Sequence, residues 1–403
     1  MTATLADRLA IVRTERTAPV RRPAPAGRED ELAQWFGARI VSVGGGRVVR
    51  VERSSTLSPA TVERLKRLPT TVYFDTETTG LSTGTGTVIF LAAAGQVVGE
   101  RFVVRQVLLP DYPHEPALLR TLLEDLAGPE RMVTYNGRGF DIPMLTARLT
   151  LHGLGRDLLR LPERHDDLLP IARRLWRRPL GGARLADIEA GVLGVGRHDD
   201  VPGFEIPGRW FTFLRGGSPD LLAAVLDHNA QDVVSLALID AEIIRLREDG
   251  GWRDAPVLDA RGMAAELVTH GRTADALELV NEVLAEGSDD HRFGLRRLAA
   301  RLLVNVGEVT RAEELWRTAT RAASVEAALA WIEVARLRER HGRDLRGALD
   351  AAQAASRVLD LSLALGRGGG MADIGRARVL VEGRARRLRS WLAAAERRAA
   401  AVG

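Results

Sequence analysis

The chain of 403 residues lacks cysteine altogether and has no long hydrophobic run. Without cysteine it can form no disulfide, thiol nucleophile or cysteine-ligated zinc or iron–sulfur centre, so any metal must be held by carboxylates and histidines. No segment approaches the roughly 18 apolar residues of a membrane span, and the first 30 residues lack the apolar core of a secretory signal. We therefore expect a cytoplasmic protein with no membrane partner.

Lysine is almost absent, because Lys66 alone accompanies the arginines among 57 basic residues. These face 53 acidic residues, which leaves a net charge of +4. Guanidinium groups bind phosphate oxygens through paired hydrogen bonds, so this composition permits nucleic acid as a partner without establishing it. The length allows two or three domains, and 45% apolar residues can build a sizeable core.

Composition changes along the chain predict its domain organisation. Residues 1–30, rich in proline and arginine, are expected to form a mobile arm. Residues 31–70 form an N-terminal extension containing a β-hairpin, because the β-branched runs Arg39–Val43 and Arg47–Val51 flank a glycine turn. Residues 71–250 mix apolar strands with amphipathic helices and are predicted to be one α/β domain.

The last part of the chain, residues 255–403, has helical spacing of alanine, leucine, arginine and glutamate. Gly271, Gly307 and Gly342 lie 36 and 35 residues apart, and each is followed by a second predicted helix. A small residue follows each glycine, namely Ala276, Ala312 and Ala348. This pattern resembles tetratricopeptide-type helical hairpins, with an ordinary helical bundle as the alternative.

Three short motifs carry the candidate chemistry, and the first is the strand that delivers Asp75 and Glu77 before it stops at Gly80. Residues two apart on a strand face the same side, so the two carboxylates are predicted to lie together. Like charges held close repel each other unless a cation lies between them, which favours a hard divalent metal. Taken alone, the pair fits a solvated surface better.

The second motif runs from Asn136 to Asp141, where a strand ends, a glycine-containing turn follows and an apolar helix begins. Asp141 is predicted to cap that helix, with Pro143 in its first turn, and it can also face a cation. The third motif is an amphipathic helix on which His228 and Asp232, four residues apart, share one face. An exposed helical pair is the alternative interpretation of the third motif.

In this order the motifs resemble those of the DEDD superfamily of 3′-to-5′ exonucleases, which have a ribonuclease H-like fold. Asp75 and Glu77 match the Asp-x-Glu of the first motif, Asp141 ends the Asn-x-x-x-Phe-Asp form of the second, and Asp232 matches the last aspartate of the third. The wider segment is similar to a bacterial branch of predicted exonucleases. The resemblance implies an α/β ribonuclease H-like domain with a mixed central sheet, followed by an all-α helical-repeat domain.

The resemblance implies a two-metal mechanism with Mg²⁺ or Mn²⁺ held by Asp75, Glu77, Asp141 and Asp232, and release of 5′-mononucleotides from a 3′ end. His228 departs from the pattern. One DEDD branch has histidine five residues before the last aspartate, and the other has tyrosine four before it, whereas this chain has histidine at the tyrosine spacing. His228 is expected either to orient or deprotonate the attacking water, or only to pack beside the site.

Nucleic acid is expected to contact Thr78 and Asn136 within the motifs, and Arg173 and Arg177 on a following helix. Four arginines between 173 and 178 form two i,i+4 pairs on that helix, which repel unless they face water or an anion. The partner is predicted to be single-stranded DNA or RNA, with the helical repeats positioning the strand or a protein partner. The rival hypothesis is a binding or scaffold protein on a degenerate nuclease fold.

Overall fold

The computed structural model describes residues 27–80, 86–197, 201–248, 250–286, 292–366 and 371–400. The chain divides into two compact units, Met1–Asp259 and Ala260–Gly403. The predicted mobile arm, residues 1–30, falls largely outside the described residues. Its last three residues begin the first described helix, α1 (Arg28–Phe36).

A seven-stranded mixed sheet organises the first unit. Its strands are β1 (Arg39–Val43), β2 (Gly46–Ser55), β3 (Thr71–Thr78), β4 (Ile89–Val98), β5 (Arg101–Leu108), β6 (Arg131–Thr134) and β7 (Arg164–Asp167). Their order is β1-β2-β5-β4-β3-β6-β7, with β3, β6 and β7 parallel and the other pairs antiparallel. Parallel pairing brings the carboxyl ends of β3, β6 and β7 to one edge of the sheet.

The predicted hairpin is formed by β1 and β2, which Gly44 and Gly45 join with positive φ angles of 58° and 79°. Strand β2 then pairs with β5 over seven residues, from Val49 to Ser55. The segment predicted as a separate extension, residues 31–70, therefore shares one sheet with the α/β domain. Hydrogen bonding between β2 and β5 makes the extension part of the same unit.

Helices cover both faces of the sheet. They are α1, α2 (Pro59–Lys66), α3 (Glu115–Leu126), α4 (Asp141–Leu151), α5 (Leu169–Leu175), α6 (Arg177–Leu180), α7 (Leu185–Ile188), α8 (Ile206–Leu214) and α9 (Ala223–Arg247). Phe74 of β3 and Trp210 of α8 belong to the main apolar core. Gly95 of β4 lets α9 approach closely, because a Cβ there would lie 2.4 Å from Val233 Cγ1.

One predicted helix is wrong in detail. The segment expected to carry four arginines on a continuous helix divides into α5 and α6, because Trp176 between them has a φ of −130° that no α-helix accepts. Trp176 is buried at this break. Arg173 and Arg177 therefore lie on different helices.

The described residues of the second unit are helices joined by short turns. Its helices are α10 (Ala260–Thr269), α11 (Thr273–Glu286), α12 (Arg292–Asn305), α13 (Val309–Ala319), α14 (Val325–Arg340), α15 (Leu345–Ala364) and α16 (Met371–Ala400). Gly271, Gly307 and Gly342 each lie between the two helices of one pair. Ala276, Ala312 and Ala348 are fully buried where the second helix of each pair begins.

These two units confirm the predicted fold class, a mixed sheet with helices followed by a helical region. The likeness of the helix pairs to tetratricopeptide repeats stays a prediction. Within the part of the chain that the structure describes, no helix combines the length and the apolar character needed to cross a bilayer.

Candidate functional site

Strand β3 positions the first two carboxylates of the site. Val72 and Phe74 are fully buried and fix the strand in the core, and Asp75 and Glu77 share one face by strand alternation. Asn229 of α9 donates from Nδ2 to Asp75 Oδ2 at 2.7 Å. This hydrogen bond orients one carboxylate and joins the strand to α9.

Asp141 is the first residue of α4, not its cap, because Phe140 occupies the cap position. Its carboxylate accepts a hydrogen bond from Thr76 Oγ1 on β3 at 2.5 Å and is buried. A carboxylate in the first turn also benefits from the helix dipole. The turn between β6 and α4 therefore delivers Asp141 beside the strand that carries Asp75.

Helix α9 brings His228 and Asp232 to the same place. His228 Nε2 lies 3.5 Å from Asp232 Oδ2 and 3.9 Å from Glu77 Oε1. The imidazole therefore lies between carboxylates from two different elements. Helical spacing places the pair on one face, as predicted, and packing of α9 on the sheet adds Glu77.

Mutual repulsion within this group alters its acid–base properties. Burial raises the pKa of Asp75 well above its ordinary value, and the negative charges of Asp232, Asp141 and Glu77 raise it further. Burial also raises the pKa of Asp232 and that of Asp141, the latter to about 6. The charges of three carboxylates, from β3, α4 and α9, thus act on Asp75, and a cation among them would relieve the repulsion.

The donor chemistry of these four carboxylates fits a hard divalent cation such as Mg²⁺ or Mn²⁺. The present arrangement of the side chains does not fit one directly. Among the described residues, no three histidine, aspartate or glutamate side chains gather into a group that could hold a metal ion. A cationic side chain already occupies part of this space.

That cation is Arg197, which sequence reasoning missed. Its Nη2 donates to Asp232 Oδ1, its Nη1 lies 3.1 Å from His228 Nδ1, and its Nε donates to Glu189 Oε2. Glu189 opens a π-helical turn after α7 and also accepts a hydrogen bond from Ser235. A π turn often marks a functional site, but no periodicity in the sequence signals it.

Three of the four residues predicted to contact nucleic acid surround one cavity beside the site. Asn136, Arg173 and Arg177 line a space of about 520 Å³ together with Tyr135 and Arg184. Asn136 adopts the left-handed region with a φ of 65°, which asparagine tolerates better than most residues. The break between α5 and α6 does not prevent both arginines from lining this cavity.

Thr78 does not line it. Its side chain is buried, and its hydroxyl donates to the Gly80 carbonyl at 2.7 Å. The predicted contact of this hydroxyl with nucleic acid would require that bond to open.

The carboxylate of Asp167 holds the backbone beside this cavity through hydrogen bonds. Its carboxylate accepts from the backbone N–H groups of Asn136 at 2.8 Å, Arg138 at 3.2 Å and Leu169 at 3.0 Å. The bond to Leu169 stabilises the start of α5. The other two tie the second motif to β7.

Comparison with known proteins identifies the family. The sequence pattern of the RNase H superfamily matches residues 72–244. The uncharacterized protein YprB of Bacillus subtilis (strain 168) is 34% identical over 284 residues, which cover 70% of this chain and 68% of YprB. The chain belongs to the RNase H superfamily.

The RNase H superfamily includes nucleases, and its fold suits nucleic-acid processing. The superfamily match spans every strand from β3 onward and ends within α9, so it contains all five predicted catalytic residues. Among solved structures, the family B DNA polymerase from the hyperthermophilic archaeon Pyrobaculum calidifontis is similar over 58% of this chain and 33% of the polymerase chain. The TM-score is 0.35 and the identity is 16%.

Proposed function

We propose that this member of the RNase H superfamily is a metal-dependent 3′-to-5′ exonuclease that hydrolyses single-stranded ends of DNA or RNA. The observation that carries the proposal is the convergence of Asp75, Glu77, Asp141 and Asp232 from β3, α4 and α9, where Asn229 donates to Asp75 and Thr76 donates to Asp141. Burial first, and the neighbouring negative charges second, raise the pKa of Asp75. Carboxylates held together against their own repulsion are typical of a cation site.

In this proposal the four carboxylates hold two ions of Mg²⁺ or Mn²⁺. When bound, such ions lower the pKa of a water molecule and stabilise charge on the phosphate oxygens. Asn229 orients Asp75 through its 2.7 Å hydrogen bond, and Thr76 orients Asp141. Neither positioning group would be needed for a solvated acidic surface.

His228 is proposed to position or deprotonate the attacking water. Its Nε2 faces Glu77 and Asp232, so a water held by those carboxylates would lie within reach of the ring. Arg173, Arg177 and Asn136 are proposed to hold phosphates of the strand in the adjoining cavity. In the second unit, the helix pairs would position either the strand or a protein partner.

A second candidate function is a nucleic-acid-binding or scaffold protein with little or no nuclease activity. The bond from Arg197 to Asp232 favours it, because that carboxylate is already neutralised without a metal. Both candidates use the arginine-lined cavity. They differ in whether divalent ions bind.

The test is digestion of 5′-labelled single-stranded DNA and RNA of one sequence with Mn²⁺, Mg²⁺ or EDTA. A ladder that shortens from the 3′ end with either metal, and vanishes in EDTA and in an Asp75→Ala/Glu77→Ala variant, is the expected result. Intact label that still shifts on a native gel with the natural chain would instead support the binding protein. The preferred sugar follows from comparing the two substrates.

A further inference from the structure

Each of the three guanidinium nitrogens of Arg197 contacts a side chain of the candidate site. Nε pairs with Glu189, Nη1 lies 3.1 Å from His228 Nδ1, and Nη2 pairs with Asp232. The carboxylate of Glu189 is only 1% exposed, and that of Asp232 is 14% exposed. An arginine that joins two such carboxylates carries the positive charge that this space would otherwise take from an ion.

The two ends of this guanidinium are held differently. Glu189 is fixed, because its other oxygen accepts from Ser235 of α9, which is fully buried. Asp232 belongs to the group of mutually repelling carboxylates that we propose to bind metal. The Nε edge and the Nη2 end of the guanidinium donate in different directions. The group can therefore turn so that Nε keeps its bond to Glu189 while Nη2 leaves Asp232.

We propose that Arg197 competes with a divalent cation for Asp232 and that metal binding displaces it from this carboxylate. This inference rests on the proposed function. Oδ1 of Asp232 accepts from Arg197, and a metal ion on this carboxylate would bring a second positive charge close to the guanidinium, which it would repel. Among the described residues no three histidine, aspartate or glutamate side chains form a ready ligand group, and the bond from Arg197 to Asp232 is one contact that a bound metal would replace.

The same displacement changes His228. Arginine can only donate hydrogen bonds, so Nδ1 of His228 accepts from Nη1, and the hydrogen of the neutral ring resides on Nε2. With that tautomer, Nε2 faces Glu77 and Asp232 as a donor and cannot accept a proton from water. Departure of Arg197 frees Nδ1 to carry the hydrogen and Nε2 to act as a base.

A calorimetric titration of Mn²⁺ into the full chain tests the competition without relying on activity. Arg197→Gln removes the competing cation and is expected to bind Mn²⁺ at least tenfold more tightly than the natural chain. Without metal, the variant is expected to melt at a lower temperature than the natural chain, because Asp232 and Glu189 lose their counter-charge. Added Mn²⁺ is expected to raise the melting temperature of the variant by more than it raises that of the natural chain.

Two further variants separate this effect from net charge and from misfolding. Arg53→Gln removes one positive charge paired with the exposed Asp227 and should change Mn²⁺ affinity by less than about threefold. Arg197→Gln/Glu189→Gln leaves the net charge unchanged and avoids an unpaired buried glutamate. It should also bind Mn²⁺ more tightly than the natural chain.

Equal or weaker Mn²⁺ binding by both Arg197 variants, with the natural chain binding the metal, would overturn the competition and leave the proposed nuclease standing. Tightening by Arg53→Gln equal to that of Arg197→Gln would also overturn it, because net charge alone would then explain the change. Absence of Mn²⁺ binding in every protein at millimolar concentration would overturn the metal site together with this inference.

Discussion

Asn229 on α9 donates a hydrogen bond of 2.7 Å to Asp75 on β3, although 154 residues separate them. The same amide accepts from Gln106 of β5 at 2.9 Å through its oxygen. Asn229 and Gln106 are fully buried. Two buried amide side chains, hydrogen-bonded to each other, thus hold one oxygen of Asp75 in place.

Replacing Asn229 by alanine is expected to weaken Mn²⁺ binding by about 10–100-fold, because hydrogen-bond partners of metal ligands typically contribute that much. The measurement is calorimetric titration near pH 7.5, with circular dichroism to verify the fold. Glu242→Gln, further along the same helix and paired with Arg245, is the matched control. Unchanged Mn²⁺ affinity in a folded Asn229→Ala protein would contradict the role given to this amide.

The raised pKa of Asp141 predicts how metal-free stability depends on pH. Burial raises this pKa to about 6 in the folded chain, against about 3.9 in an unfolded one. The charged carboxylate therefore destabilises the fold fully above pH 6, and this cost disappears as the pH falls toward 4. Asp141→Asn should be more stable than the natural chain at pH 8 by roughly 1–3 kcal/mol.

The difference in unfolding free energy between Asp141→Asn and the natural chain should shrink toward zero near pH 4.5, where the Asp141 carboxylate is largely protonated in the folded chain. Urea unfolding in EDTA at both pH values measures it, with Asp220→Asn at an exposed helix start as control. A variant that is less stable than the natural chain at pH 8 would show that Asp141 is stabilised as an anion by Thr76 and the helix start.

The arginine-lined cavity predicts a change in salt dependence. Arg173→Gln/Arg177→Gln should weaken binding of single-stranded DNA in EDTA and flatten the plot of log affinity against log salt by about 1.4, since each phosphate contact contributes about 0.7. Fluorescence anisotropy at several salt concentrations gives the slope. Arg39→Gln/Arg101→Gln, at exposed positions on β1 and β5, removes the same charge elsewhere. Equal slopes for the two double variants would rule out a specific phosphate site at the cavity.

A buried ion pair beneath the site predicts a large effect on folding. Asp240 of α9 accepts from Arg131 of β6 at 2.6 and 3.0 Å and from the Tyr73 hydroxyl of β3 at 2.8 Å. Asp240→Ala leaves Arg131 charged and partly unpaired, and should lower the free energy of unfolding by about 3–5 kcal/mol. Glu52→Gln, which breaks an exposed pair with Arg105, should cost less than about 1 kcal/mol. Urea unfolding of both variants measures the two losses of unfolding free energy. Similar losses for Asp240→Ala and Glu52→Gln would contradict the importance given to the buried pair.

Features that depend on local geometry follow from the residue pattern alone. Alternation along a strand puts Asp75 and Glu77 on one face, and the helical repeat puts His228 and Asp232 on another. The glycines between two β-branched runs likewise predicted the hairpin of β1 and β2, because a tight turn depends on neighbouring residues only. These relationships hold between neighbours in the chain, so the residue pattern is enough to state them.

Which distant groups meet depends instead on how the whole chain packs. Arg197 pairs with Asp232 across 35 residues, and Asn229 reaches Asp75 across 154, with no periodicity linking either pair. The break at Trp176 and the pairing of β2 with β5 likewise depend on what each segment packs against. A side chain's partner is set by the packing of whole elements, because burial and hydrogen bonding reward contacts that only the folded chain creates.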